Sequence, residues 1–155
     1  MAEKEYNVLE IITAVNGVID DEARAAATAV LTSVVFATPV GNPTRWQYPK
    51  SAPKGYVGGH ARRNWLVSLS IPRPLVIGEA GKGGGAGAAS SGALAGGRQQ
   101  IARYKRLNAR IIIQNNVPYI GRLNAGHSTV QPANFVQKAV QAGRVAGARG
   151  RKELP

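Results

Sequence analysis

Few side chains in this sequence could take part in acid–base, nucleophilic or metal chemistry. The chain has two histidines, His60 and His127, and no cysteine, and two histidines alone make a poor metal site. Six of the eight carboxylates lie within residues 1–22, so no pair of acids is spaced for hydrolysis later in the chain. Ser128 follows His127 directly, and adjacent residues rarely form a nucleophile–base pair. We therefore predict that the protein is not an enzyme and holds no metal or other cofactor.

A glycine-rich stretch suggests one further chemistry, the binding of a nucleotide phosphate. Residues 78–97 contain nine Gly, six Ala and two Ser, and positions 83–88 satisfy the loose Gly-x-Gly-x-x-Ala form of the dinucleotide fingerprint. The context does not fit, because no acidic residue occurs from 80 to 152 to hold a ribose. We predict instead a flexible coil over 78–97 that contacts a neighbouring subunit or lines a channel.

Charge is distributed very unevenly along the chain. The formal net charge is +12, yet residues 1–22 are acidic. Residues 23–155 contain 19 Lys and Arg but only two carboxylates, Glu79 and Glu153. A body this basic indicates a polyanion such as nucleic acid, or a strongly acidic protein surface, as partner. The simpler alternative is that the charge keeps a small subunit soluble until it docks.

Basic and aromatic side chains alternate in residues 39–59, a long loop rich in Pro and Gly. Such residues can stack on bases and neutralise phosphates, but Trp, Tyr and Arg are also enriched at protein interfaces, which we favour. The candidates for a subunit or partner interface are Arg45, Trp46, Tyr48, Tyr56, Lys82 and Leu94. The candidates for facing DNA in a channel, or an acidic partner, are Arg98, Arg103 and Arg106; a basic helix face that is simply solvated is an equal alternative for them.

Hydrophobic periodicity predicts the elements that would position these residues. Apolar residues recur at three- and four-residue steps from about residue 6 to 36, which predicts a long helix. Asn16-Gly17 would break or bend it, and Asp20 would then cap a second helical segment. Alternation over 65–71 predicts a strand with its odd positions inward. We expect one domain over 1–155 with a basic flexible tail at 147–155. The remaining predicted elements are strands near 75–77 and 109–115 and helices near 98–108 and 133–146.

These elements define an α+β fold. The expected architecture is a small, mostly antiparallel sheet packed against the long N-terminal helix, with two further helices and long Gly/Pro-rich loops.

The stretch from 115 to 133 predicts a strand end, a tight corner and a helix start. Asn116 tolerates turn geometry, and Pro118 forces the chain out of the sheet because it lacks an N–H donor. Gly126 can end a helical turn in a left-handed conformation, and Pro132 suits the first position of another helix. We predict that the following residues shape the fold and take no part in chemistry: Thr38, Pro39, Trp65, Asn116, Pro118, Tyr119, Leu123, Gly126 and Pro132.

Two segments carry a resemblance to a known family. Residues 115–133 read Asn-Asn-x-Pro-Tyr-x-x-x-Leu-x-x-Gly-x-Ser-x-x-x-Pro-Ala, an order that resembles the neck, or tail-completion, proteins of long-tailed bacteriophages. Thr38-Pro39-Val40-Gly41, followed by Arg63-Asn64-Trp65, is similar to the "Thr-Pro-Val-x-x-Gly … Arg-x-x-Trp" segment of that family. The resemblance covers most of residues 20–140. Gly41-Asn42-Pro43-Thr44 stands where the family usually has Asp-Thr-Gly.

The resemblance implies a structural virion subunit at the head-to-tail junction, assembled in the host cytoplasm. Copies would form a homo-oligomeric ring, by family analogy sixfold, between the head-side connector and the tail tube or its terminator, with DNA passing through the channel. No apolar run approaches ~18 residues, and we expect no membrane association. The alternatives are a tail terminator or other protein of the tail-tube end, and a nucleic-acid-binding protein without sequence specificity.

Overall fold

The fold class is α+β, as predicted. The computed structural model describes residues 8–106, 110–128 and 131–150, with side chains from residue 15 onward. A long N-terminal helix packs with further helices around two antiparallel strands. In chain order the elements are α1 (Val8–Ala37), α2 (His60–Arg63), β1 (Trp65–Leu69), α3 (Gly85–Ala102), β2 (Ile111–Asn115), α4 (Ile120–Asn124) and α5 (Phe135–Gly150).

The sheet consists of β1 and β2, with Trp65 opposite Asn115 and Leu69 opposite Ile111. Strand β1 ends where Ser70 adopts a positive φ of 67°. As a result Ile71, which we expected to point inward, is 74% exposed. The inward-odd pattern also fails within β1, since both faces of the strand are covered and side chains of both parities are buried.

Helix α1 runs through Asn16-Gly17 without interruption, so the expected break is absent. Asp20 does not cap a new segment. It lies inside the helix, and its carboxylate accepts a hydrogen bond from the backbone N–H of Arg106 at 2.7 Å. The buried apolar core that α1 helps to form comprises Ala27, Leu31, Val34, Val35, Trp65, Val67, Ala93, Leu94, Ile101, Phe135 and Ala139.

The prediction of a coil over 78–97 is wrong from residue 85 onward, where α3 begins. Small residues let this helix lie very close to the core, because a Cβ on Gly97 would collide with Leu31 and come within 2.9 Å of Val67. Leu94, expected at a subunit interface, is a core residue instead. The predicted helix at 98–108 is the end of α3 and stops at Ala102.

Helix α5 packs along α1 through glycines spaced three and four residues apart. A Cβ on Gly143 would collide with Val30, so the glycine that weakens the helix intrinsically allows its close packing. Helix α5 begins at Phe135 rather than near residue 133, because Asn134 has a positive φ of 64°. Residues 147–150 are helical, not a flexible tail, and 151–155 lie outside the described residues. Among the helices described, none combines the length and apolarity needed to cross a bilayer.

Candidate binding cavity

The C-terminal end of α1 is anchored to the start of β1 by a buried hydrogen bond. The indole Nε1 of Trp65 donates to the Thr38 hydroxyl oxygen at 2.7 Å. That hydroxyl donates in turn to the carbonyl of Val34 at 2.6 Å. Both side chains are buried, so their polar atoms need these partners. Two segments that carry the resemblance, the Thr-Pro-Val corner and the Trp strand, are therefore in direct contact.

Arg62 of α2 fixes the same corner from the other side. Its guanidinium donates to the carbonyl of Thr38 at 2.8 and 3.0 Å and to that of Phe36 at 3.1 Å. It also donates to the Ser90 hydroxyl of α3 at 3.3 Å. The carbonyls at a helix C-terminus lack intrahelical partners and carry partial negative charge. Burial lowers the pKa of Arg62, but a guanidinium stays charged at neutral pH, so it stabilises this end of α1.

A cavity of about 350 Å³ opens next to this anchor. It lies where three segments meet: the Thr-Pro-Val corner (residues 38–40), the loop with alternating basic and aromatic residues (39–59, the aromatic loop), and the turn that begins at Pro118 and Tyr119 (the Pro-Tyr corner). We call it the corner cavity; its lining includes Arg45, Trp46, Tyr56, His60, Tyr119 and His127. The structure thus brings together residues from three separate parts of the sequence.

Aromatic side chains form much of the wall of the corner cavity. The rings of Trp46 and Tyr56 meet edge to face, with centroids 5.0 Å apart and an interplanar angle of 72°. Tyr56 fits there because Gly41 and Gly81 lack side chains, which would otherwise collide with it. Burial raises the pKa of Tyr56, and burial together with the nearby Tyr56 raises the pKa of Tyr119. Both phenols therefore remain protonated at neutral pH and can donate hydrogen bonds.

Both histidines of the chain line the corner cavity, although 66 residues separate them in the sequence. His60 is only 7% exposed, and its Nδ1 has no hydrogen-bond partner among the described residues. Burial lowers the pKa of His60, and the positive charge of Arg63 lowers it further. The Nδ1 of His60 is therefore a buried polar atom of a neutral imidazole to which the described residues supply no partner, a state that costs free energy.

The charge of the corner cavity is positive. Arg45 contributes a guanidinium, and no carboxylate belongs to the described lining. With two phenols and a neutral imidazole nearby, the arrangement can bind a group that is negatively charged and accepts hydrogen bonds. The sequence did not predict that His60 and His127 would line one cavity, because their spacing matches no pattern of metal- or ligand-binding residues.

Other predicted interface residues lie elsewhere. Tyr48 is 69% exposed on the aromatic loop. Lys82 forms an exposed ion pair with Glu79 at 2.6 Å. The three arginines expected to face DNA are all exposed, but only Arg98 lies on α3, whereas Arg103 and Arg106 follow it.

Asn116 does more than end β2, because it helps to hold residues 71–77. Its amide donates to the carbonyls of Arg73 and Leu75 at 2.7 and 2.8 Å. Gln114 exchanges two hydrogen bonds with the backbone of Arg73 at 2.8 and 2.9 Å. The predicted strand at 75–77 is wrong because these side-chain amides, rather than a strand backbone, pair with this segment. We call residues 71–77 the strap.

The Pro-Tyr corner has the shape that its residues predict. Pro118 precedes the turn into α4, and Tyr119 and Leu123 both line the corner cavity. Gly126 has a positive φ of 93°, as expected for the residue that ends this turn. Pro132 is exposed and precedes α5 without being its first residue. A feature that the sequence did not reveal is Asn124, whose side-chain oxygen accepts the N–H of Val136 at 3.0 Å and caps α5.

Comparison with family models, with curated proteins and with solved structures gave no match for this chain. Within the described ranges, no group of three or more His, Cys, Asp or Glu is placed to hold a metal ion.

Proposed function

We propose that the chain is a structural subunit of the neck of a long-tailed bacteriophage particle. Copies form a ring, sixfold by family analogy, between the head-side connector and the tail tube or its terminator. DNA passes through the central channel. The work of the subunit is binding, without catalysis or a cofactor.

The observation that carries this proposal is the meeting of the segments that resemble the family. Thr38 and Trp65 share a hydrogen bond, and Pro39 and Tyr119 line the same cavity. Chance matches to short motifs have no reason to adjoin one another, whereas parts of one structural unit do. The contacts between these segments therefore favour a shared origin of both motifs.

Exposed apolar residues support assembly into an oligomer. In the strap, Ile71, Leu75 and Val76 are exposed, and the strap is held to the body through side-chain amides of Gln114 and Asn116. Clustered exposed apolar residues commonly mark protein contacts. The strap is accordingly a suitable contact for a neighbouring subunit or an adjoining ring.

Exposed arginines support contact with DNA in the channel. Arg98, Arg103 and Arg106 all present their side chains to solvent. Guanidinium groups neutralise phosphates without reading sequence, as a passage for any part of a genome requires.

An electron-microscopic reconstruction of the particle from which the chain comes tests the proposal. We expect density for this fold in a ring between the head connector and the tail. A ring at the end of the tail tube would assign the chain to the terminators instead. Absence of the chain from the particle would overturn both assignments.

The basic surface also favours a second candidate, a free protein that binds nucleic acid without sequence specificity. Such a protein should be retained on DNA at physiological salt, with a Kd of roughly micromolar or tighter, and should be released along a steep salt slope. A neck subunit has no need to hold DNA when it is alone. Retention of the isolated chain on DNA-cellulose, measured against salt concentration, separates the two candidates.

A further inference from the structure

Another cavity, of about 330 Å³, lies between the strap and α3. We call it the strap groove. Two arginines, Arg63 and Arg73, line it together with Gln99, Gln100 and the glycine-rich side of α3. No carboxylate belongs to its lining among the described residues. The strap groove therefore combines two guanidinium groups with two side-chain amides, and all four can donate hydrogen bonds to an anion.

The backbone of Arg73 is fixed by side chains in β2 and directly after it. Gln114 donates to the carbonyl of Arg73 at 2.8 Å and accepts its N–H at 2.9 Å, and Asn116 donates to the same carbonyl at 2.7 Å. Pro72 and Pro74 flank Arg73, and each proline restricts φ. Arg73 itself is exposed. An arginine with a fixed backbone loses less conformational entropy on binding than one on a mobile loop.

The cations of the strap groove have no acidic partner in the described part of the chain. The ion pairs there join carboxylates only to Arg24 and Lys82. The sequence has no Asp or Glu from 23 to 78 or from 80 to 152, and Glu79, close to the strap, pairs with Lys82 at 2.6 Å. The uncompensated positive charge of the groove therefore favours an anion supplied by another molecule.

Two further arginines extend the positive surface along α3. Arg98 lies between Gly97 and Gln99, which both line the strap groove. Arg103 follows Gln99 by four residues, about one helical turn, and both arginines are exposed. One carboxylate and one phosphodiester are both monoanions, so a single site does not distinguish them. A partner with charges at regular intervals reaches the groove and these arginines together, and the backbone of DNA carries a charge on every nucleotide.

We infer that the strap groove binds the sugar–phosphate backbone of DNA, with a phosphate held by Arg63 and Arg73 and the strand continuing along α3 towards Arg103. The exposed apolar residues Leu75 and Val76 do not line the groove, so they stay available for a subunit contact. Phosphate contacts carry no sequence information, as a passage for a whole genome requires. Binding at this groove deepens the proposed function, on which it rests for the presence of DNA, because it names the surface that faces the channel.

The test measures binding of the full chain to a labelled DNA duplex slightly longer than one helical turn, by fluorescence anisotropy. Salt is varied from about 25 to 150 mM, because each phosphate contact adds about 0.9 to the slope of log Kd against log salt concentration. Arg73→Gln removes one such contact and retains the backbone bonds to Gln114. We expect a Kd about tenfold higher at the lowest salt and a slope smaller by about 0.9. Few contacts leave the affinity weak at physiological salt, as expected for a neck subunit that is alone.

Two more variants locate the site. Arg73→Lys keeps the charge and should keep the slope. Arg144→Gln removes the same charge as Arg73→Gln from an exposed position on α5, outside the lining of the groove, and should leave both the Kd and the slope nearly unchanged. Equal effects of Arg73→Gln and Arg144→Gln, or no binding at the lowest salt, would overturn the inference. Circular dichroism and thermal melts confirm that each variant is folded.

A labelled polyglutamate peptide makes an acidic protein an explicit outcome. Binding of polyglutamate that depends on Arg73 and is at least as tight as binding of the duplex would assign the groove to an acidic protein surface and overturn the inference. A ring in the particle neck without Arg73-dependent binding of DNA would contradict only the role of the groove. Arg73-dependent binding of DNA by a chain absent from the particle would contradict only the proposed location.

Discussion

Trp65 and Trp46 lie in surroundings that differ in how completely their polar neighbours are paired. Trp65 is buried, its N–H has Thr38 as partner, and that hydroxyl has a carbonyl as partner. Trp46 is partly exposed at the corner cavity, where His60 keeps an unpaired Nδ1. A fully paired network stabilises a fold, whereas an unpaired buried polar atom costs free energy. The core around Trp65 therefore has a structural role, and the corner cavity is suited to binding.

The largest expected difference comes from truncating the two tryptophans. Trp65→Ala should lower the free energy of unfolding by about 3–5 kcal/mol, since it empties a core position. Trp46→Ala should cost only about 1 kcal/mol, the size of one aromatic pair. Denaturant unfolding of both variants measures the contrast. Equal losses would mean that the corner cavity is part of the core.

Two adjacent glycines of α3 sharpen the comparison within one helix. Gly97→Ala should destabilise the protein by about 1–3 kcal/mol, because its Cβ would overpack the core against Leu31. Gly96→Ala meets no neighbouring atom and should stabilise the helix by about 0.5–1 kcal/mol. Thermal melts of the pair give the sign. Stabilisation by both substitutions would show that α3 does not pack against α1 as closely as described.

His60 makes the free energy of unfolding of the protein depend on pH. Its pKa is lowered from the ordinary value of 6.5, so the unfolded chain binds its proton more readily than the folded one. The contribution of neutral His60 to stability is therefore fully present above pH 6.5, and it is lost as the pH is lowered through the pKa that His60 has in the folded protein. Melting temperatures between pH 7.5 and 5 should decline less steeply for His60→Gln than for the parent. Identical slopes would mean that His60 is not buried in its neutral form.

The smallest effect is expected at Arg103 and Arg106. Their side chains are exposed, and the bond from Arg106 to Asp20 uses the backbone N–H, which substitution retains. Changing both residues to Gln should alter the free energy of unfolding by less than about 0.5 kcal/mol. A large fall in melting temperature would show that these arginines are structural and not free to meet DNA.

Elements with a clear period could be predicted from the sequence, and those selected by shape could not. The stripe of α1 and the β-branched run of β2 follow from local pattern alone. Helix α3 was missed because its glycines disfavour a helix, while its stability comes from close packing of Gly97 on Leu31 and Val67. That fit depends on side chains distant in sequence.

The candidate site was predicted only in part, for a similar reason. Arg45, Trp46 and Tyr56 stand out as interface residues by type and proximity in the sequence. Their meeting with His60 and His127 requires two corners to close on each other. No local sequence pattern predicts that the two corners come together. The burial of the His60 Nδ1 without a partner among the described residues likewise follows only from the folded structure.

The packing of α5 on α1 also bears on the order of folding. Gly143 lies against Val30 and Ala26, so the contact closes a loop that contains most of the chain. Closing a long loop costs entropy before the contact that it makes stabilises the fold, and pairings closer in sequence, such as α2 with α3, can form sooner. During synthesis, the side of α1 that carries Ala26 and Val30 stays exposed until α5 has been made and has packed on it. The chain is therefore a complete subunit, able to assemble, only after this contact has formed.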